Sequence, residues 1–524
     1  MTAPSTDASP PTDPAWFGRR LRTALRGRVY AGPALWPVVA PADEADLRVA
    51  TEIAAQAGVP VAVRGAGLDS PGATQGDALV LDCRRLDAVL EFDREAGVVE
   101  AQAGLSLAAL DALLAPHGWR LTLDAPGRAA ATLGGLVGID AALRAPAAAS
   151  IGSRLEAVEA LLVDGTVQRF GPFGVADATR LSSARASALV SGLFEIAGRE
   201  RDTLARDWPA RVAPALGFRF PALGAVPGAV GDAGAALNLA GLLAGSRGSL
   251  AISRRIRLWL DRRPTHRRWL ALAADSFADG LAGLAAIAAR GPVMLVLFDA
   301  SALSIGEGRT LLGQFGPMRE TGALLLAEFE DEEAARLDAE LERLRADCTT
   351  SALRSLRLPG AVAGTGAEAQ RFAVAVDGLR MALAQRTPGP AATILPEDCR
   401  LPPARLVEAW RRIDALVAAR RLRVRWFAGG HDGRLSLRAA DAASARAMVR
   451  DGGLAAAVGR TVRELGGAID GERLDPAARA ALVPLQFGAA LAAAAESARA
   501  LFDPQRRLAP FVAGAAGPPA DDGA

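Results

Sequence analysis

The chain has 524 residues, enough for two or three domains with a large core, and its 60 Lys plus Arg against 58 Asp plus Glu give a net charge of +2. It contains no lysine, so every cation is arginine, which excludes Schiff-base, pyridoxal-phosphate and P-loop lysines. Three cysteines and three histidines exclude a four-thiolate cluster and leave few groups for metal or acid–base chemistry.

The sequence also bears on cellular location and on binding to membranes or nucleic acid. The start of the chain, MTAPSTDASPPTDP, lacks the basic and apolar regions of a signal peptide. Apolar stretches such as 482–495 are shorter than the roughly 20 residues of a spanning helix. Scattered cysteines are typical of a reducing compartment. We therefore expect a cytoplasmic protein with no transmembrane segment, and the near-zero net charge gives no case for nucleic acid.

The first half of the chain alternates between predicted helices and strands. An amphipathic helix is predicted over 44–57, with Asp43 as N-cap and Gly58 at its end. The dipeptide Asp164-Gly165 predicts a hairpin within 159–170. The other predicted elements here are strands at 59–65, 78–83 and 98–104 and a helix at 105–115.

The second half keeps this mixture. A Gly-, Pro- and Ala-rich linker or loop is predicted over 205–235, and a short helix, a turn and a strand follow within 237–260. Further on, helices are predicted at 331–346, 404–420 and within 454–501, with a strand at 422–430. Because strands and helices interleave without strict βαβ regularity, the predicted fold class is α+β.

Three segments rich in small residues could hold a ligand. In RGAGLDSPGATQG (64–76) the third glycine position of a dinucleotide fingerprint is Ser70, which argues against a Rossmann site. Its small residues would still let backbone amides approach a pyrophosphate, although for this loop alone an ordinary turn after a strand is the favoured interpretation. The others are 124–140 and 245–252, and together the three could line a cleft for a long cofactor.

These segments, with two further runs, carry a resemblance to a known family. The run 38–104, the PG…ATLGG segment, LLAGSRGSLAI and RALFDPQRRLAP occur in the order and spacing of the FAD-linked oxidases of the vanillyl-alcohol oxidase (PCMH) type. The chain looks most similar to the branch that contains D-lactate dehydrogenase, D-2-hydroxyglutarate dehydrogenase and the FAD subunits of glycolate oxidase. The resemblance covers roughly residues 31–512.

The resemblance implies a domain order. After a tail and lead-in (1–30), it implies a PCMH-type FAD-binding domain of two subdomains (31–262) and an α+β cap, or substrate, domain (263–455). A C-terminal helical segment (456–512) would return to the FAD domain, followed by a disordered tail (513–524).

The resemblance also implies a set of cofactor-binding residues. Relatives with covalent flavin carry a histidine in the first loop, and this loop has none, so we expect non-covalent FAD. The implied FAD-binding residues are Arg64, Gly65, Ala66, Gly67, Leu68, Asp69, Pro126, Thr132, Gly134, Gly135, Gly248 and Ile252.

The cap motifs depart from those of the 2-hydroxyacid branch. Where that branch has GHAGDGNLH, with two metal-binding histidines, this chain has AGGHDGRLS, and the histidine positions fall on Gly429 and Ser436. His431 is displaced by two residues. Glycine and serine cannot replace two imidazole ligands, so no metal is predicted.

The second cap motif and the substrate arginine depart as well. In DGERL the family's glutamate is kept as Glu472, but its histidine base falls on Arg473. A metal held by His431 and Glu472 remains an alternative. The family's carboxylate-binding arginine aligns with Ala375. Arg473 and His431 are therefore the predicted catalytic residues, as an anion-binding group and a base.

The predicted function is FAD-dependent oxidation of a small 2-hydroxy acid or related alcohol. GGHDGR also resembles the smaller FAD subunit of glycolate oxidase, so the alternative is a catalytically degenerate FAD subunit with an iron–sulfur or other electron-acceptor partner. A third possibility is a scaffold that has lost FAD, since Asp69 would repel a pyrophosphate. The basic run 253–268 suggests nucleic acid, but partial alternation with apolar residues favours the solvated face of a strand.

Overall fold

The structure is a computed structural model that describes residues 13–32, 35–68, 78–124, 129–144, 149–173, 181, 183–208, 217, 219–220, 237–315, 321–350, 353, 356–357, 367–384, 394–430, 433–471, 474 and 476–508. Most of the predicted linker at 205–235 and the predicted tails before residue 13 and after residue 512 lie outside these residues. In the described residues, sheets of four, five and eight strands and two two-stranded sheets, with helices packed against the larger ones, confirm the α+β class.

The first sheet has four short strands in the order β1-β2-β4-β3, with β4 parallel to both β2 and β3. Helix α2 has the bounds that its capping signals predict, because Asp43 accepts the amides of Ala45 and Asp46 and Gly58 adopts a left-handed φ of 68°. Part of the predicted lead-in also packs here, with Phe17 and Leu21 fully buried. The elements are α1 Pro14–Ala24, β1 Arg28–Tyr30, β2 Val38–Ala40, α2 Glu44–Ala57, β3 Val61–Arg64 and β4 Leu79–Asp82.

The second sheet is antiparallel and has the order β5-β6-β12-β8-β9. The hairpin predicted around Asp164-Gly165 is β8–β9, and Gly165 has a φ of 86°. The elements are β5 Val89–Asp93, β6 Val98–Gln102, α3 Leu107–Leu114, β7 Trp119–Arg120, α4 Leu133–Gly138, β8 Leu155–Leu161, β9 Val167–Phe170, β10 Pro172–Phe173, α5 Ala184–Asp207, β11 Leu237–Asn238, β12 Ile252–Trp259 and β13 Asp261–Arg262. The short strands pair as β7–β13 and β10–β11.

The third sheet has eight strands in the order β17-β14-β16-β15-β19-β20-β18-β21. One face packs on α6, α9, α11 and α13 and the other on α7, α8 and α10. The elements are β14 His266–Ala274, α6 Phe277–Ala288, β15 Met294–Asp299, α7 Ala300–Leu303, α8 Gly306–Leu312, β16 Ala323–Asp331, α9 Ala334–Thr350, β17 Leu356–Arg357, α10 Ala367–Ala384, β18 Asp398–Arg400, α11 Leu406–Ala419, β19 Val424–Gly429, β20 Arg434–Ala439, α12 Ala442–Met448, α13 Gly452–Glu464 and β21 Ala468–Asp470.

The last helix, α14 (Pro476–Phe502), packs on α5 and is interrupted at Gly488, whose φ and ψ are 81° and 164°. Beyond it the chain returns to the first sheet, where the Val61 amide donates to the Arg507 carbonyl at 2.8 Å and Leu508 is fully buried. Within the described part of the chain, Ala478–Phe502 is the one helix long and apolar enough to cross a membrane, which alone is weak evidence for a span. Its core residues include Phe487, Leu491, Ala494, Ala498 and Phe502.

Candidate functional site: a glycine-lined cleft and a polar cap

The three small-residue segments meet in space. Gly65, just after β3, lies so close to Thr132 that a Cβ atom there would stand 2.1 Å from the Thr132 Oγ1. The turn at 245–249 is fixed to the end of α4, since the Gly245 amide donates to the Val137 carbonyl at 2.9 Å. Gly248, with a φ of 76°, faces Val63 of β3. One cleft therefore has all three segments on its walls.

Small residues are required where α4 meets the second sheet. Thr132 is the N-cap, and its Oγ1 accepts the Gly135 amide at 3.2 Å. The Gly134 amide donates to the Ala103 carbonyl at 2.7 Å, and a Cβ at Gly134 would be 3.0 Å from that of Ala103. Thr132, Gly134 and Gly135 thus set how closely α4 approaches β6.

The loop after β3 offers backbone donors. Within the described residues, the amides of Ala66, Gly67 and Leu68 donate to no protein acceptor, and Gly67 has a φ of 71°. Such successive free amides are suited to the oxygens of a phosphate group. Asp69 and Pro126, which the sequence also predicts to bind the cofactor, lie outside the described residues.

A cavity of about 680 Å³ opens beside this loop, at the carboxyl ends of β3 and β4. Its walls include Tyr30, Arg64, Asp82, Arg84 and Arg85. Arg64 and Arg84 both contact Asp82, at 2.9 and 2.7 Å. Although burial raises the pKa of the Asp82 carboxyl, hydrogen bonds from these arginines hold it below its usual value. Three guanidinium groups against one carboxylate leave an excess of positive charge, which fits a diphosphate.

Ile252 has a different environment from the other predicted cofactor residues. Its side chain is fully buried in the core beneath the first sheet, and its backbone pairs with Leu161 of β8. Only the main chain of Ile252 is therefore placed to line a cleft.

The third sheet, called the cap sheet from here on because most of its strands lie in the predicted cap, carries a buried polar network where the family motif has a metal-binding histidine. The Ser436 hydroxyl donates to Asp398, and Arg438 contacts both oxygens of the same carboxylate at 2.9 and 2.8 Å. On the neighbouring strands, Arg400 contacts Asp470 at 3.1 Å. Within the described residues no three His, Cys, Asp or Glu side chains are grouped for a metal ion.

The predicted catalytic residues His431 and Arg473, and Glu472 with them, lie outside the described residues. Nearby, Arg479 donates to the carbonyls of the described residues Gly471 and Leu474, each at 3.1 Å. Arg479 is 2% exposed.

A second cluster joins the cap sheet to the segment that leads into the predicted FAD loop at 126. We call it the ionic seam, and its members are Arg120, Asp124, Arg144, Arg267, Glu328, Glu330 and Arg380.

The seam carboxylates are deeply buried. Arg144 contacts Glu328 at 3.2 Å and Arg120 contacts Glu330 at 2.6 Å, while the Glu328 side chain is only 1% exposed. Burial raises the pKa of Glu328, while the positive charges of Arg144 and Arg267 oppose this shift.

Sequence reasoning overlooked the seam, although two signals for it exist. In WRLTLD (119–124) apolar and polar residues alternate, and in LLLAEFED (324–331) carboxylates interrupt an otherwise apolar strand. Both patterns place polar side chains on one face of a strand.

The basic run at 253–268 is paired with acidic residues. Arg255 contacts Glu44 at 2.8 Å, and Arg257 contacts Glu156 and Glu91 at 3.1 and 2.6 Å. This arrangement agrees with the interpretation as a solvated strand face.

Comparisons with known proteins define the class. The family described as "FAD binding domain" matches residues 37–171, and the family described as "FAD linked oxidases, C-terminal domain" matches residues 263–512. The chain belongs to the FAD-linked oxidase family, a class of FAD-dependent oxidoreductases, and FAD is its cofactor.

Similar proteins are distant in sequence. D-2-hydroxyglutarate dehydrogenase of Escherichia coli K12 is 24% identical over 494 residues, which cover 90% of this chain and 47% of that protein. Decaprenylphosphoryl-beta-D-ribose oxidase of Mycolicibacterium smegmatis is 31% identical over 154 residues, 29% of this chain and 33% of that one. The chain thus spans half or less of the length of these relatives. An alkyldihydroxyacetonephosphate synthase structure has the same fold, with a TM-score of 0.58, 12% identity and coverage of 96% of this chain and 85% of that one.

Proposed function

We propose that the protein oxidises a small 2-hydroxy acid or a related alcohol by hydride transfer to non-covalently held FAD. The observation that carries the proposal is the convergence of the three glycine segments into one cleft, in a region that the FAD-binding family covers. The similarity to a D-2-hydroxyglutarate dehydrogenase supports the substrate class.

The residues present fit FAD. The free amides of 66–68 and the guanidinium groups of Arg64, Arg84 and Arg85 suit its diphosphate, and Gly65, Gly134 and Gly248 keep side chains out of the cleft. When bound, FAD supplies a two-electron acceptor for the hydride of the substrate carbon. Arg473 is proposed to bind the substrate anion and His431 to accept the hydroxyl proton, because no other histidine lies in the cap motifs.

The test is the visible spectrum of the purified protein, with and without 2-hydroxy acids under anaerobic conditions. We expect the purified protein to show flavin absorbance, and dilution and gel filtration after denaturation to separate the flavin from the polypeptide. We also expect one or more 2-hydroxy acids to bleach the flavin. A protein without flavin, whose melting temperature added FAD does not raise, would contradict the proposal.

A second candidate function is a catalytically degenerate FAD subunit of a glycolate-oxidase-like complex, with an iron–sulfur or other electron-acceptor partner. It is favoured by Ser436, which stands at a histidine position of the family motif and is committed to Asp398. This candidate predicts a flavin that dithionite reduces but 2-hydroxy acids do not.

We also propose that the protein is cytoplasmic, which cell fractionation tests.

A further inference from the structure

The cavity beside the loop after β3 extends across the first sheet, from the arginines to Tyr30. Its volume of about 680 Å³ lies within the usual range for small-molecule sites, roughly 300–1,000 Å³. Arg64 belongs to β3 and Tyr30 to β1, with β4 and β2 between them in the sheet. Neighbouring strands are about 4.8 Å apart, so three spacings separate the two backbones by about 14 Å. A diphosphate fills only part of such a space.

The cavity and the glycine-lined cleft lie on opposite faces of the first sheet. Arg64 and Asp82 are directly paired, and both line the cavity. Successive side chains of a strand alternate between its two faces, so Val63 points the other way, and there it meets the turn at Gly248. The end of β3, with the backbone donors at 66–68 that follow it, therefore lies between the cavity and the cleft.

Tyr30 gives the far end of the cavity an aromatic wall. It is the one tyrosine of the chain and is 45% exposed, so part of its ring is available to a ligand. Val38 and Ala40 of β2 add a buried apolar surface on the same wall. The Tyr30 phenol also lies within electrostatic range of Arg84. An exposed ring, an apolar surface and a nearby guanidinium group together suit a nucleotide base.

We propose that FAD straddles the end of β3, with its flavin half in the glycine-lined cleft and its adenylate half in this cavity, where Tyr30 stacks on the adenine. The proposal rests on the proposed function, in which the diphosphate lies at the loop after β3, and it is independent of the substrate. FMN lacks the adenylate half and does not reach Tyr30. The protein should therefore prefer FAD to FMN, and ADP should bind to it without a flavin.

The experiment measures the affinity of the flavin-free full chain for FAD, FMN, ADP and inorganic pyrophosphate by titration calorimetry. The proteins compared are the wild type, Tyr30→Ala, Tyr30→Phe and the matched control Trp259→Ala. Trp259 of β12 is 44% exposed, nearly the same as Tyr30, and is not among the cavity walls. The melting temperature of each flavin-free variant shows whether it folds.

We expect Tyr30→Ala to weaken FAD and ADP binding roughly 5- to 150-fold, the range for stacking of a base on an aromatic ring. Its affinities for FMN and pyrophosphate should equal those of the wild type, because neither ligand carries adenine. Tyr30→Phe keeps the ring, so it should bind all four ligands as the wild type does, and so should Trp259→Ala. If Tyr30→Ala does not fold, Tyr30→Leu keeps an apolar side chain without a ring and should show the same loss.

Unchanged FAD and ADP affinity in Tyr30→Ala, or an equal loss for FAD and FMN, would overturn the proposal. A wild type that binds no ADP, or that binds FMN as tightly as FAD, would overturn it too. Failure of the proposed function has a different signature. In that case 2-hydroxy acids leave the bound flavin oxidised, while the preference for FAD and its dependence on Tyr30 remain.

Discussion

Gly65 shows how one missing side chain shapes the cofactor cleft. A Cβ atom at this position would overlap the Thr132 hydroxyl, which caps α4, so two walls of the cleft approach each other only because residue 65 is glycine. Glycine is therefore required at this position by packing.

We predict that Gly65→Ala weakens FAD binding, because relieving the overlap moves the loop or the helix cap at a cost of about 1–3 kcal/mol. FAD titration and thermal unfolding measure the effect. Gly378→Ala is the control, since a Cβ at Gly378, within α10, meets no atom within 4 Å. Equal losses of FAD affinity in the two variants would argue against a specific role of Gly65.

Asp398 is the acceptor at the centre of the buried polar network, because it accepts hydrogen bonds from both Ser436 and the buried Arg438. We predict that Asp398→Asn lowers the free energy of unfolding by about 3–5 kcal/mol, since it leaves a buried guanidinium without its counter-charge. Urea denaturation measures this. The control is Asp338→Asn, because Asp338 also pairs with an arginine, Arg268, but its side chain is 58% exposed. This change should lower the free energy of unfolding by less than about 1 kcal/mol. A similarly small effect at Asp398 would contradict the prediction.

At the scale of elements, the sequence predicts best where the signal is local. Asp43 and Gly58 define both ends of α2, and Asp164-Gly165 defines the β8–β9 hairpin, because capping and turn residues act on their immediate neighbours. The six-residue α4 was not predicted as a helix, since glycine-rich sequence has low helix propensity and this helix depends on the Thr132 cap and on packing.

The candidate site was predictable only in part. The glycine segments could be recognised from their composition and order. The ionic seam could not be assembled from the sequence, because its partners are 184 residues apart in Arg144–Glu328 and 256 apart in Asp124–Arg380. The order of the cap strands, which brings Asp398 beside Ser436, is equally non-local.

Glu44 joins two elements, since this first residue of α2 contacts Arg254 and Arg255 of β12. Burial raises the pKa of its carboxyl, but hydrogen bonds from Arg255 and Gln102 and the charge of Arg254 outweigh this and lower the pKa to about 2. The folded-state pKa is depressed, so the stabilisation is present above the unfolded value of about 4.5 and is lost as the pH falls through about 2.

We therefore predict that Glu44→Gln lowers stability at pH 7 by about 1–2 kcal/mol, a value reduced for partial solvent screening. The difference from the wild type should shrink as the pH falls from about 4.5 towards 2. Thermal unfolding at a series of pH values measures this. The control is Glu52→Gln, because Glu52 pairs with Arg48 on the exposed side of α2. A difference that does not depend on pH would contradict the assignment.

At the scale of the whole molecule, distant parts of the chain complete one sheet. Leu508 is fully buried beneath β3, in a core whose other members lie mainly in the first 90 residues, and it pairs with Val61. We predict that Leu508→Ala lowers the free energy of unfolding by about 2–5 kcal/mol and weakens FAD binding, because Gly65 follows the same strand. Equilibrium unfolding and FAD titration test this, with the exposed Leu90→Ala as the control. Unchanged stability would mean that the chain end contributes little to the first sheet.

The ion pairs on the second sheet are of a kind that keeps its charge in base. All of the sheet's cations are guanidinium groups, such as those of Arg255 and Arg257, and these keep their protons far above the range in which an ammonium group would lose its own. The buried cysteines act in the opposite direction. Burial raises the pKa of the Cys83 thiol to about 12, so above about pH 9 the unfolded chain loses a thiol proton that the folded chain keeps. We therefore expect the melting temperature to fall above about pH 9 because of the thiols, while the arginine ion pairs keep their charges, and we expect a smaller fall in Cys83→Ala. An equally steep fall in Cys83→Ala would show that other groups govern alkaline unfolding of this protein.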